Sequence, residues 1–266
     1  MEEKAKNDIS YKRKMEDECC RSRVPAMAAW EFISLISRIY KDLEPPKPSP
    51  SPLHSLVNKL YDEGLLHCII SYNYDLSVES IKEFDDRFYY PIIRSSESSQ
   101  SERISFYKLH GSLNWKEGMG NQNQIRRDDN KVVSMKYRSA GDYMQPSIIC
   151  PTLFKQEINI DFQWDYRASF YKTIWKECWQ HLHETDSVII VGFSFPATDW
   201  HAQMLFESAG SKRGGFKKIV YCHKGDKPEK IKEIRSIFGG ADFIEESKGL
   251  ESLADNIGKF LKFIES

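Results

Sequence analysis

The stretch His67–Asp75, His-Cys-Ile-Ile-Ser-Tyr-Asn-Tyr-Asp, decides the fold of this chain. It begins as a short apolar run, which is typical of a strand buried on both faces of a sheet. It ends in Asn73 and Asp75, two residue types that favour turns and bind polar ligands. The helix-like segment Leu76–Phe84 follows. Ligands of open parallel sheets collect just beyond the carboxyl ends of the strands, so this stretch predicts a binding site.

Strands and helices alternate on both sides of this stretch. Besides the strand at 67–72, the apolar runs predict strands at 104–109, 187–191, 218–221 and 241–244. Apolar spacing of three and four residues predicts helices at 25–40, 53–65, 165–183, 199–209, 227–238 and 250–263. Residues 116–146 read as polar and irregular, with one candidate strand at Lys131–Tyr137. This alternation predicts an α/β fold, a Rossmann-like, doubly wound and mainly parallel sheet.

The sequence before residue 53 has a different character. Residues 1–24 are highly charged, and a proline-rich stretch at Leu43–Leu53 follows the expected helix at Pro25–Tyr40. We therefore expect two parts: a charged helical N-terminal segment with a proline-rich linker over 1–52, and a folded domain over 53–266.

Composition narrows the class of protein. The chain has 266 residues with a formal net charge of −1, which gives no general attraction to nucleic acid or to an anionic membrane. No apolar run approaches the length of a membrane span, and the charged N-terminus shows no secretory signal. None of the 6 cysteines forms a C-x-x-C pair, so neither a zinc ribbon nor a disulfide framework is expected. We expect a cytoplasmic protein in which Cys68, Cys150 and Cys222 are core residues.

Three expected strands end in polar residues that can meet in one crevice. The first provides Asn73 and Asp75, and the second provides His110. The third is followed by Gly192, Ser194, Thr198 and Asp199. A carboxamide both donates and accepts hydrogen bonds, a histidine can act as a base near neutral pH, and a glycine permits close approach of the backbone to a ligand.

Four segments resemble motifs of sirtuin-like domains, in the order of that family. Ser71-Tyr-Asn-Tyr-Asp75 resembles its Thr-x-Asn-Tyr-Asp motif, and Lys108-Leu-His-Gly-Ser112 resembles its Lys-Leu-His-Gly-Ser motif. Ile149-Cys-Pro-Thr152 with Lys155 resembles a Pro-Pro-Thr-x-x-Lys segment. Val188–Asp199 resembles its Gly-Tyr-Ser-Phe-x-x-Thr-Asp segment. The resemblance covers about residues 53–260, and it is greater to the bacterial branch that hydrolyses NAD+ in antiphage defence than to protein deacylases, whose four-cysteine zinc module is missing here.

The resemblance implies an NAD+ glycohydrolase that cleaves the nicotinamide–ribose bond through an oxocarbenium-like state without a metal. Asn73 would position the water or the nicotinamide ribose, and His110 would be the general base. The NAD+-binding residues implied are Tyr74, Asp75, Gly192, Ser194, Thr198 and Asp199. The resemblance further implies assembly into a homo-oligomer or with a partner effector subunit.

One element of the family pattern is missing from this sequence. The family begins with a central strand and a Gly-Ala-Gly-x-Ser loop that cradles the pyrophosphate. Here the first glycine is Gly64, and no apolar strand precedes residue 67. Three explanations account for this. The sequence is a fragment or begins at a late translation start, a partner chain fills the gap in the sheet, or the domain has lost catalysis.

Other interpretations of the same residues stay open. The domain could be a catalytically degenerate module that binds NAD+ or ADP-ribose, or an assembly module. Gly192-Phe-Ser194-Phe-Pro196 is similar to the nucleophile elbow of serine hydrolases, although proline replaces its last glycine. Taken alone, Asn73 and Asp75 are ordinary turn residues and His110 a structural histidine. His201 is expected to cap or pack a helix.

Overall fold

The opening stretch forms the edge of a parallel sheet in the computed structural model of the chain. The structure describes residues 51–81, 87–90, 103–118, 125–127, 136–137, 143–149, 165–211, 214–225 and 228–266. Its helices are α1 (Pro52–Asp62), α2 (Asp165–Glu184), α3 (Trp200–Ser211), α4 (Pro228–Ile237), α5 (Leu250–Asp255) and α6 (Ile257–Glu265), with a 3-10 turn at Ala197–Asp199. Its strands are β1 (Cys68–Ser71), β2 (Phe88–Tyr89), β3 (Ile104–Lys108), β4 (Gly111–Gly118), β5 (Ile125–Arg127), β6 (Lys136–Tyr137), β7 (Tyr143–Ile148), β8 (Ser187–Val191), β9 (Lys218–Cys222) and β10 (Asp242–Glu246).

Several predicted segments lie outside these residues. They include the helix at 25–40, most of the proline-rich linker, Cys150 and the segment from Pro151 to Lys155. The division at residue 52 therefore stays a prediction.

Two parallel three-stranded sheets form the centre of the domain. One has the order β1-β3-β2 and the other the order β10-β9-β8. Helices cover both faces of the second sheet. Along β9, Ile219 and Tyr221 contact one apolar cluster, whereas Val220 and Cys222 contact the other, which contains α5 and α6 residues. This alternation is the doubly wound arrangement that the sequence predicted.

A cavity separates the two parallel sheets. It has a volume of about 500 Å³, and its walls include every residue of β1 and of β8. Within the described residues neither edge is paired with another strand across this cavity. We call this cavity the slot.

The region expected to be irregular contains an antiparallel sheet instead. β4 pairs with β5 and β7, and β6 pairs with β7. The prediction for 116–146 was therefore wrong, and the candidate strand at Lys131–Tyr137 is limited to β6 in the described residues. Residues 111–115 of β4 are buried throughout, but they include Ser112 and Asn114, whose side chains bond each other at 2.7 Å, so β4 is not a continuous apolar run.

Two predicted helices also differ from the structure. The described part of Leu76–Phe84 forms turns, in which the backbone N–H of Ser80 bonds Leu76 O and Asp75 Oδ1 accepts from the N–H of Ser77. The expected terminal helix divides into α5 and α6 at Asn256, whose side chain donates to Ser252 O at 2.9 Å. In both places a short polar side chain competes for backbone groups that a continuous helix would use.

Gly111 turns the chain from β3 into β4. Its φ is +84°, and a Cβ there would overlap the carbonyl oxygen of Ser147 and the hydroxyl of Tyr171 and lie 2.9 Å from Cα of Ile148. Only glycine therefore fits between His110 and the strand that follows.

We expect Gly111→Ala to lower the free energy of unfolding by about 3 kcal/mol, because a methyl group would displace β7 from β4. Denaturant unfolding measures this loss. Gly239→Ala is the matched control: its φ is also positive, at +60°, but nothing lies within 4 Å of the added Cβ. The control should cost only the left-handed backbone strain of about 1–2 kcal/mol. Equal losses in both variants would contradict the overlap.

Candidate functional site

The ends of three strands carry the candidate site. β1 continues into Tyr72–Asp75, and the chain reaches His110 two residues after β3 ends. β1 and β3 are parallel neighbours, so these two loops leave the same edge of one sheet. β8 belongs to the other sheet, and Gly192–Asp199 follow it. Contacts between these loops form the site.

His110 lies between two acceptor atoms at the centre of these loops. Its side chain is buried, with 7% of the residue exposed. Nδ1 lies 3.1 Å from the backbone oxygen of Tyr72, and Nε2 lies 3.3 Å from Oδ1 of the equally buried Asp199. Since a carbonyl oxygen only accepts, Nδ1 carries the proton in this contact. A proton taken up at Nε2 would then face a carboxylate, which stabilises an imidazolium.

Aromatic contacts join the loops of the two sheets. The ring of Tyr72 stacks on that of Phe193, with 4.2 Å between centroids and 9° between planes. Tyr72 also meets His110 edge-on at 5.2 Å. Burial raises the pKa of the Tyr72 phenol well above its ordinary value, and the nearby carboxylate of Asp199 raises it further. The Tyr72 side chain is therefore a neutral wall of the site.

Asn73 is the exposed residue of the β1 loop. Its backbone N–H donates to Oγ of Ser71 at 3.2 Å. Within the described residues its carboxamide makes no hydrogen bond to the protein. His110 bonds the backbone oxygen of Tyr72, the residue before Asn73. The side chain of Asn73 therefore follows directly after the peptide group that contacts the histidine. It can donate to and accept from a ligand there.

Tyr74 and Asp75 support the loop instead of facing outward. The hydroxyl of Tyr74 donates to the backbone oxygen of Ile149 at 2.5 Å. Asp75 Oδ1 accepts from the backbone N–H of Ser77 at 2.9 Å. Both side chains thus have protein partners, and the structure brings them next to the site without leaving them open to it.

The third loop supplies backbone turns and one buried acid. Gly192 has a φ of +67°, which favours glycine, and its N–H bonds Cys222 O at 3.0 Å. Ser194 is exposed, and in the described part of the chain its hydroxyl contacts no histidine, so the nucleophile-elbow interpretation has no base in reach. The side chain of Thr198 lies outside the described residues. Asp199 is the residue that reaches His110.

Lys108 fixes the loop that carries Asn73, and the sequence did not predict this role. Its ammonium is fully buried, pairs with Oε1 of Glu79 at 2.9 Å and also donates to the backbone oxygens of Tyr74 and Asp75. A lysine at the end of an otherwise apolar strand was the available signal, because a charge at that depth needs partners. Tyr72, Phe193 and Glu79 were missed as well, and their identities alone gave no such signal.

The described part of the chain contains neither a metal-binding cluster nor a membrane-spanning helix. No group of histidine, cysteine, aspartate and glutamate side chains there has the arrangement of a metal site. None of the helices in these ranges is long and apolar enough to cross a bilayer. Cys68, Cys178 and Cys222 are free thiols, of which Cys222 is buried and Cys68 half-buried. Burial raises the pKa of the Cys68 thiol to about 12.

Comparison with known proteins identifies relatives of this arrangement. A family model described as SIR2-like domain matches residues 67–251. A mutant Sir2 homologue in complex with ADP-ribose has a TM-score of 0.50 and 16% sequence identity, with 89% of this chain and 77% of that chain covered. A Sir2 homologue in complex with NAD has a TM-score of 0.45 and 16% identity, with 82% and 67% covered. No curated protein matches in sequence. The first structure shows that the fold is shared.

We expect Lys108→Met to lower the free energy of unfolding by about 3–5 kcal/mol, because Glu79 would keep a buried charge without its partner. Denaturant unfolding measures the loss, and Lys108→Met with Glu79→Leu should recover part of it. Lys217→Met is the control, since it removes an exposed pair with Asp186 at 2.8 Å. That change should cost less than about 1 kcal/mol. Similar losses for both lysines would contradict the role given to Lys108.

Proposed function

This chain belongs to the SIR2-like domain family, and on that basis we propose that it binds NAD+ and hydrolyses the nicotinamide–ribose bond. The observation that supports hydrolysis is the buried contact of His110 with Asp199, one peptide from the exposed carboxamide of Asn73. The similar Sir2 homologues were solved with ADP-ribose and with NAD, which are the product and the substrate of this reaction.

The reaction needs one proton acceptor. The bond between the ribose carbon and the nicotinamide nitrogen breaks, a water oxygen bonds to that carbon, and one proton is released. In our proposal Nε2 of His110 takes this proton, and the carboxylate of Asp199 at 3.3 Å stabilises the charged ring. The bond from Nδ1 to Tyr72 O sets the orientation of the ring and directs Nε2 toward Asp199.

In this proposal the other site residues bind NAD+ and orient its reacting groups. Asn73 holds the reacting water or the nicotinamide ribose with its carboxamide. Gly192 and the exposed Ser194 line the dinucleotide from the β8 side, together with Thr198. Tyr74 and Asp75 act through the loop, since their side chains bond to the protein. A general base of this kind contributes about 10²–10⁴-fold to a rate.

A second function is binding without turnover. Both ring nitrogens of His110 have partners, and the ring is nearly closed off from solvent. A histidine held in this way could serve to fix the loops of a module that binds NAD+ or ADP-ribose or mediates assembly. Saturable binding without nicotinamide release would identify this function.

The resemblance of the motifs to the defence branch also supports a proposal about the cellular role, the location and the assembly of the protein. We propose that the protein acts in the cytoplasm in antiphage defence, as a homo-oligomer or with a partner effector subunit.

We expect the purified chain to release nicotinamide from NAD+. Asn73→Ala and His110→Ala should each reduce that rate by at least about 100-fold, because Asn73 orients the water or the ribose and His110 accepts the released proton. Chromatographic quantification of nicotinamide measures the rate. Calorimetric titration with ADP-ribose should still show binding by both variants.

Asn256→Ala is the control for Asn73→Ala, and His54→Ala is the control for His110→Ala. Asn256 lies between α5 and α6 and His54 lies in α1, so both are outside the loops of the site. Their rates should equal that of the unmodified chain. Turnover that survives both site substitutions would overturn the assignment of Asn73 and His110. Absence of turnover with intact binding would select the second function, and absence of both would reject both functions.

A further inference from the structure

Three hydrogen bonds hold the backbone around His110. The N–H of Leu109 donates to Ser71 O in β1 at 3.0 Å, and the N–H of Ile149 donates to His110 O at 2.7 Å. The third bond comes from α2, where Nε1 of Trp175 donates to Leu109 O at 3.1 Å. Because a peptide group is planar, the bonded carbonyl of Leu109 also fixes the backbone nitrogen of His110.

Trp175 also contacts the tyrosine that orients the imidazole. Its indole meets the ring of Tyr72 edge-on, with 6.4 Å between centroids and 72° between planes. Tyr72 in turn meets the ring of His110 edge-on at 5.2 Å, and its backbone oxygen accepts from Nδ1. One helix residue is therefore in contact with the peptide before His110 and with the residue that its side chain bonds. Contacts of this kind lock the orientation of a functional side chain.

A third contact of Trp175 reaches the helix that follows Asp199. The indole meets the ring of His201 edge-on, with 6.4 Å between centroids and 69° between planes. His201 stacks on Trp200 at 3.7 Å. Trp200 is the first residue of α3 and directly follows Asp199, the acid that pairs with Nε2 of His110. The same indole thus contacts the end of the histidine strand and the start of the helix next to the acid.

α2 carries a second tryptophan that is a close match for Trp175. Trp179 lies one turn further along the helix and is half-buried, as Trp175 is. Its Nε1 donates to Oγ of Ser208 in α3, also at 3.1 Å. Neither belongs to the buried face of α2, which includes Phe170, Ile174, Cys178 and Leu182. The two indoles therefore agree in helix, burial and bond length, and they differ in the group that they bond.

We propose that Trp175 is a positioning residue, which holds His110 with Nδ1 on Tyr72 O and Nε2 toward Asp199. It acts through the carbonyl of Leu109 and the ring of Tyr72. Its effect on turnover rests on the function proposed above for His110, since the orientation of the ring affects the rate only if Nε2 accepts the proton. The placement of the ring is a property of the folded chain and is measurable without turnover.

Nuclear magnetic resonance tests the placement without substrate. The observable is the rate at which the Nδ1 proton of His110 exchanges with water in the full chain. Trp175→Phe removes the indole N–H and keeps an aromatic ring. We expect this exchange to become at least about tenfold faster, because the bond from Nδ1 to Tyr72 O would open more often. Trp179→Phe is the matched control, and it should leave the exchange rate unchanged.

A second variant separates the lost bond from the space that phenylalanine leaves. Benzothienylalanine in place of Trp175 keeps the shape of the indole and has sulfur where the N–H was. Because the bond to Leu109 O is lost in both cases, we expect this variant to accelerate the exchange as Trp175→Phe does.

Nicotinamide release provides the second readout. Both changes at Trp175 should lower kcat about tenfold and leave KM within about twofold, because they displace a base and leave the groups that bind substrate in place. Trp179→Phe should change neither constant. If the unmodified chain releases no nicotinamide, hydrolysis is rejected, and the exchange measurement alone decides whether Trp175 positions the imidazole.

Four outcomes would overturn the proposal. Unchanged exchange in both Trp175 variants would mean that this residue does not hold the imidazole. Equal acceleration in Trp179→Phe would make a general loosening of α2 the cause. Acceleration in Trp175→Phe without the same effect of benzothienylalanine would assign it to packing instead of the hydrogen bond. A raised KM with an unchanged kcat would make Trp175 a binding residue.

Discussion

The buried ammonium of Lys108 is the constraint on which the site depends. It lies at the end of β3 with no exposed surface and bonds Glu79 and two carbonyls of the β1 loop. Withdrawing that loop would leave a charge in the interior without partners, which costs several kcal/mol. The loop that presents Asn73 is therefore held to the strand that presents His110. The same contact holds Glu79 in the interior. The segment Leu76–Ile81, which contains Glu79, forms turns instead of the expected helix.

The site belongs to two sheets at once. The β1 and β3 loops come from one sheet and the β8 loop from the other, and the stack of Tyr72 on Phe193 and the contact of His110 with Asp199 join them. The slot lies between the same two sheets, and Tyr72, Asn73 and Gly192 are among its walls. Any occupant of the slot would therefore adjoin the residues proposed to bind NAD+.

Sequence patterns predicted the parallel part of the fold well and the antiparallel part poorly. The strand at 187–191 was predicted with its observed ends, and those at 104–109 and 218–221 were correct to within one residue, because buried parallel strands are short continuous apolar runs. β4, β5 and β7 were missed, and β6 is only the end of the candidate strand at Lys131–Tyr137, because these strands mix polar and apolar residues. The predicted helix at 76–84 forms turns where Asp75 accepts from the N–H of Ser77, and the one at 250–263 divides where Asn256 donates to Ser252 O. Apolar spacing does not register such competition.

By itself the sequence determined the alternation of parallel strands and helices, the polar residues at the strand ends and the family. These are local properties, because an apolar run, a turn residue or a motif is read within a few positions. Only the tertiary structure decided that His110 meets Asp199, that Lys108 holds the Asn73 loop, and that the edges of β1 and β8 face one slot. Each of these pairs residues far apart in the chain. The physical reason is that such a pairing depends on which sheet edges come together, and no local stretch of sequence contains that information.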